Sequence, residues 1–270
     1  MIEIIILIAL GATALAGLWD LRTTEVPDQI PAIMIIAGLA YWFISATLTG
    51  DFQPLIFSSA IGTFLLAVGL LLYKKGQWGG ADAWILASVG YMIPLYSGSL
   101  FIIPYIMNFF IISAAYMIVY SLLLGIRNPY VFRLFAKDIR DNKKIFLLPV
   151  SFLAAVMAFS YYVLTQGYLV NISVPLEIFV LIFLLTLFWR YGKIIEDKVF
   201  KKKIPTSKLK VGDVLEEMNW VGLTKKQVAQ IKKRKRFVTI KEGVRFVPVF
   251  FLSLVATLLF GNLLFAFVAL

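Results

Sequence analysis

Neither cysteine nor histidine occurs in the chain, and together these absences remove much of the usual catalytic chemistry. Without cysteine there is no disulfide framework, no thiolate zinc site and no thiol nucleophile; without histidine there is no Ser-His-Asp triad. Acid–base work falls to carboxylates, Lys or Tyr. Charge is also scarce. Only 15% of the 270 residues are charged and 61% are hydrophobic, against about 25% and about 45–50% in a soluble domain. A domain of this length still keeps much of its surface in solvent, so for most of this chain that solvent must be lipid.

What is present are apolar runs of bilayer length, about 20 residues each. They fall at 2–19, 31–48, 54–73, 100–124, 145–165, 175–189 and 244–269, with a shorter one at 83–96 whose far end holds Pro94 and Gly98. The expectation is an all-α polytopic membrane protein of about eight spans: a bundle over 1–190, a small basic mixed α/β cytoplasmic domain over 191–243, and a C-terminal span over 244–270. A re-entrant segment at 83–96 is the alternative, and it would invert everything after it. The first run is read as a retained helix, since only Glu3 precedes its apolar stretch and no A-x-A-like site precedes Asp20.

The placement of charge favours eight spans. The net charge of +11 would suit a nucleic-acid binder, but the positive-inside rule accounts for it. With the N-terminus outside, segments 20–30, 74–82, 125–144 and 190–245 face the cytoplasm and contain every one of the 26 Lys and Arg residues. The outer loops at 49–53, 97–99 and 166–174 contain none. Within 191–243, residues 236–241 read as a strand, and Thr224 with Gln227 reads as a capping box. The basic run Lys232–Arg236 reads as a solvated face near anionic headgroups, with help in substrate docking as the alternative.

Two carboxylates stand out. Asp20 ends the first span and Asp82 opens the fourth, so an even number of spans returns both to one membrane face. An Asp at a helix end is commonly interfacial or an N-cap, and Asp82 fits a cap well. A charged carboxylate near the hydrocarbon boundary is costly, and such residues usually face a bundle interior or a watery cavity. Burial and a neighbouring carboxylate both raise a carboxyl pKa, and a pair sharing one proton offers a base for water and an acid for the leaving amine. Gly79 and Gly80 precede Asp82; glycine permits close backbone approach and positive φ, giving room for a substrate strand. Asp28 is expected to cap the second helix with Pro31 in its first turn, and Arg22 to pair with Glu25 or Asp28. Asn108 and Ser113 are expected to hydrogen-bond between helices, while Tyr105 and Tyr116 need only packing roles.

The stretch Trp19-Asp20-Leu21-Arg22-Thr23-Thr24-Glu25-Val26-Pro27-Asp28 resembles the first catalytic motif of the type IV prepilin peptidase family, and Gly79-Gly80-Ala81-Asp82 resembles the archaeal form of its GxGD motif. Residues 203–246 are similar to the C-terminal region of the archaeal preflagellin and prepilin peptidases, and the bacterial cysteine-bearing zinc domain has no counterpart. Ala81 replaces the second Gly of the strict motif. Trp84 stands where members often carry Lys, which leaves any substrate contact of that lysine without a counterpart. The resemblance implies an aspartic endopeptidase of the cytoplasmic membrane, with Asp20 and Asp82 as catalytic pair, Gly79 and Gly80 along the substrate, and no metal or cofactor. Its partners would be preflagellin or prepilin precursors and membrane lipids, not nucleic acid; the oligomeric state is not implied. A presenilin-type protease and a transporter using the aspartates as a proton relay are the rival readings.

Overall fold

The computed structural model describes residues 2–166, 173–216 and 222–268, so the expected outer loop at 166–174 lies almost wholly outside the described residues. Two compact units divide the chain: Met1–Met117 with Lys203–Leu270, and Ile118–Lys202. Among the described residues six helices are long and apolar enough to cross a membrane, so the eight expected spans are not confirmed. The fourth and last expected spans are the ones that differ.

In the first unit, α1 (Ile2–Thr23), α2 (Gln29–Thr49) and α3 (Gln53–Lys74) are full-length spans, and α4 (Gly80–Met92) has 13 residues. At about 1.5 Å per residue, α4 is too short for a hydrocarbon core of about 30 Å. It is enclosed instead: every residue from Ala83 to Met92 except Trp84 is buried. Glycines on its neighbours make that possible. A Cβ at Gly38 would lie 2.8 Å from the Tyr91 carbonyl oxygen, one at Gly62 2.4 Å from the Tyr91 ring, and one at Gly69 2.8 Å from Ala83.

A helix that ends inside an apolar bundle must find donors for its last carbonyls. Trp42 Nε1 donates to the Met92 carbonyl at 3.1 Å and Ser58 Oγ to the Tyr91 carbonyl at 2.6 Å. Beyond Pro94 the chain folds back in a hairpin of β1 (Leu95–Tyr96) and β2 (Ser99–Leu100). Ser97 and Gly98 both have positive φ, 50° and 77°, as a two-residue type I′ turn requires. The expected helix at 83–96 therefore stops at Met92.

Next comes α5 (Ile102–Arg127). The last expected span, 244–269, is broken in three. Residues 242–247 have no regular structure, α10 covers Pro248–Phe260, and α11 covers Leu263–Val268 after Gly261 (φ 65°). Asn108 of α5 secures the break: its Nδ2 donates to Thr257 Oγ1 and the Gly261 carbonyl, and its Oδ1 accepts the Leu263 N–H. Ser113, by contrast, bonds back to the Phe109 carbonyl of its own helix.

The small domain holds a three-stranded sheet in the order β3-β5-β4, from β3 (Lys201–Pro205), β4 (Val214–Leu215) and β5 (Phe237–Lys241), beside α9 (Lys225–Arg234). Leu209, Leu223, Val228 and Val238 form its core. The Thr224–Gln227 capping box is present, with Thr224 N–H donating to Gln227 Oε1 at 2.8 Å. Asp28 stands at the N-cap of α2, but its side chain makes no capping bond.

The second unit holds the end of α5, then α6 (Tyr130–Asp141), α7 (Leu147–Thr165) and α8 (Ser173–Ile195), whose helical path runs on through Phe200. Residues 191–200 thus continue a span. The segment 125–144 is not a bare loop either: α6 buries Val131 and lays Phe132 and Phe135 against Tyr191. Arg190 pairs with Asp138.

Gly38→Ala should cost about 1–3 kcal/mol, because the added methyl meets backbone that cannot move aside. The detergent-solubilised variant is expected to melt several degrees lower. Gly11→Ala, where a Cβ meets nothing within 4 Å, should leave the melting temperature unchanged.

Candidate active site

Asp20 lies in the last turn of α1. The helix closes just beyond it, with the Thr24 N–H donating to the Asp20 carbonyl at 2.8 Å and Thr24 in the left-handed region (φ 61°). An aspartate so close to a helix end would ordinarily be solvated, yet Asp20 is 4% exposed. Its Oδ2 accepts the Val247 N–H at 3.0 Å, from a residue 227 positions away. Val247 closes the extended strap that joins β5 to α10. The first helix comes near it through Gly17, where a Cβ would be 3.1 Å from Pro248 Cα.

Asp82 is the third residue of α4 and is 9% exposed. Its Oδ2 accepts the Gly79 N–H at 3.0 Å, so the capping reading was right in kind: Gly79 is the N-cap and Asp82 reaches back to it. Gly79 does not use its conformational freedom. Its φ of −73° and ψ of 156° suit any residue, and the left-handed glycine of this turn is Gly76. Space is what Gly79 provides, since a Cβ there would stand 3.1 Å from Asp82 Oδ2. Gly80 packs loosely, 3.7 Å from the Tyr73 ring by the same measure.

The structure brings the two aspartates together. The charge of Asp20 acts on Asp82, although 62 residues separate them. On each, Oδ2 is held by one backbone N–H, and among the described residues Oδ1 accepts no hydrogen bond. The two donors share one support. Trp78 precedes Gly79, Phe246 precedes Val247, and the two rings belong to a cluster with Phe109 and Phe250, at centroid separations of 5.0–6.5 Å.

Other expected site residues are not gathered in. Arg22, Glu25 and Asp28 are exposed, and among the described residues Arg22 makes no ion pair with either carboxylate. Glu25 does face the small domain: a Cβ on Gly212 would be 3.1 Å from its Oε1. Trp84 is 40% exposed and turned outward. Sequence reasoning missed Arg245, whose charge acts on Asp20, and Tyr116, whose hydroxyl donates to the Arg245 carbonyl. Only the basic residue at the foot of the final apolar run hinted at the first. No group of three or more Asp or Glu side chains that could hold a metal occurs among the described residues.

Fold and site together define a polytopic helical membrane protein that buries two carboxylates at the ends of two helices, one acting on the other through its charge. Residues 6–122, which carry both aspartates, match the type IV leader peptidase family, so the resemblance drawn from the two motifs is shown for that region. A preflagellin peptidase from Methanococcus voltae is 33% identical over 92 residues, which make up 33% of this chain and 38% of that protein. No solved structure matches the chain.

The absence of native cysteine makes the facing of α1 and α4 directly testable. Cysteines placed at 20 and 82 should be joined by a short bifunctional thiol reagent. After cleavage at a protease site inserted into the exposed loop after Thr49, the two fragments are expected to migrate together. Fragments that separate would mean that the carboxylate positions do not face each other.

Proposed function

We propose that this protein is a membrane-embedded aspartic endopeptidase that removes the short basic leader from preflagellin or type IV prepilin-like precursors at the cytoplasmic membrane face. The observation that carries the reading is the pair of buried carboxylates, each with one oxygen held by a backbone N–H and the other accepting no hydrogen bond among the described residues, with the charge of Asp20 acting on Asp82. Likeness to the leader peptidase family and to a preflagellin peptidase supports the substrate class. The confinement of basic residues to one set of loops supports the orientation.

In this mechanism one aspartate, ionised, takes a proton from a water molecule whose oxygen attacks the scissile carbonyl carbon. The other aspartate, protonated, gives its proton to the carbonyl oxygen as the tetrahedral intermediate forms. Collapse breaks the C–N bond: the proton held by the first aspartate passes to the leaving amine, and a hydroxyl of the intermediate returns a proton to the second aspartate as the carboxylic acid forms, which restores the pair. No covalent enzyme intermediate is required. The fixed Oδ2 atoms hold the two Oδ1 atoms in place before substrate arrives, which is where the catalytic advantage lies. Gly79 and Gly80 keep the approach to Asp82 free of side chains, so that an extended substrate backbone can cross it. The exposed Glu25 and Asp28 supply negative charge for a basic leader on an otherwise basic surface.

Asp20→Asn and Asp82→Asn keep the shape of each side chain and remove its acid–base capacity. Membranes bearing either variant, incubated with a preflagellin or prepilin, should lose leader removal by roughly 10²-fold or more at normal expression. Full activity in either variant would remove that residue from the pair.

A further inference from the structure

The strap at 242–247 is held at three successive residues. The Arg245 carbonyl accepts the Tyr116 hydroxyl. The Phe246 ring sits among Trp78, Phe109 and Phe250. The Val247 N–H is bound to Asp20. With its backbone fixed on both sides, the Arg245 side chain has a defined place beside Asp20.

That side chain does not complete the obvious pairing. Its charge acts on Asp20, yet among the described residues Arg245 forms no ion pair. Its Nε is shut off from solvent and donates to no acceptor there. A buried donor of a charged group left without an acceptor is costly, and such a group calls for an explanation. No described residue supplies that acceptor, and a group that did so would lie close to Asp20, on which the guanidinium charge acts. Guanidinium N–H groups are fixed in direction and take planar oxygen acceptors. In an extended peptide crossing Asp20, the acceptors of that kind are backbone carbonyl oxygens.

We propose that Arg245 is a substrate-binding residue whose Nε–H receives a backbone carbonyl oxygen of the bound peptide beside the scissile bond. The inference rests on the peptidase reading and adds to it a contact from the strap that ties the small domain to the last helix. It also gives the small domain a part in the reaction: any movement of β5 would carry this donor toward or away from the peptide.

Steady-state cleavage of a precursor peptide in lipid nanodiscs tests this. Arg245→Lys keeps the positive charge near Asp20 and lacks the Nε–H; Arg245→Gln lacks both. Arg245→Lys is expected to raise KM about tenfold or more with kcat within about twofold, and Arg245→Gln, which also removes the charge acting on Asp20, to raise KM at least as much. A second arm uses the unaltered protein with peptides in which single carbonyls flanking the cleavage point are replaced by thiocarbonyls, which are weaker acceptors. One such peptide should show the same rise in KM with the unaltered protein and little further rise with Arg245→Gln. Wild-type KM in both variants, or a changed pH profile at constant KM, would overturn the assignment, the latter because Arg245 would then act only on Asp20. Failure of the unaltered protein to cut any precursor would instead remove the peptidase reading.

Discussion

Two backbone N–H groups, from Gly79 and Val247, hold the two buried aspartates, and everything at the site depends on where those donors stand. Carboxylates this far from solvent carry a penalty of several kcal/mol unless they are hydrogen-bonded. Neither donor belongs to a regular helix interior, so neither is placed by helix geometry alone. Aromatic packing places them. Trp78 and Phe246, the residues just before the donors, meet in one cluster with Phe109 and Phe250, and burial of a ring of that size is worth about 3–5 kcal/mol on removal. The same contact therefore sets both hydrogen bonds, and with them the spacing of the carboxylates.

The surrounding fold serves this arrangement. Because Asp82 lies on a short helix enclosed by α2 and α3, its position is set by close backbone packing at Gly38, Gly62 and Gly69 rather than by the lipid interface. Trp42 and Ser58 take up the carbonyls that the early end of α4 would leave unpaired. Asp20, on a full-length span, is reached instead by a segment from the far end of the chain. One aspartate is fixed by its own turn and the other by a strap that begins at the sheet of the small domain.

How legible this was in the sequence depended on range. Asp20 and Asp82 were readable because short motifs surround them, and the Thr224–Gln227 box because both partners lie within one helical turn. Helix ends were harder. Apolar composition runs unbroken past Met92 and past Phe260, so hydropathy extends both helices, while the real stops come from Pro94 with a left-handed Ser97-Gly98 pair and from Gly261 secured by Asn108. Asp28 has the right type and place for a cap and does not act as one. Val247 and Arg245 could not be found by any local pattern, since their relation to Asp20 spans more than two hundred residues and one of the two contacts is made by backbone. The helix α6 was overlooked because its basic residues dominated the reading of that loop, although Val131, Phe132 and Phe135 mark an apolar side.

The proposed peptidase chemistry requires the two carboxylates to work as one acid–base pair that holds a single proton. The pH dependence of kcat/KM for leader removal in lipid nanodiscs reads that requirement directly, since the active form would disappear both when the pair gains a second proton and when it loses its only one. A bell-shaped profile with one proton on each limb is the result expected. A rate that rises with pH to a plateau, with no alkaline limb attributable to the pair, would show a lone base at work and contradict the shared-proton site.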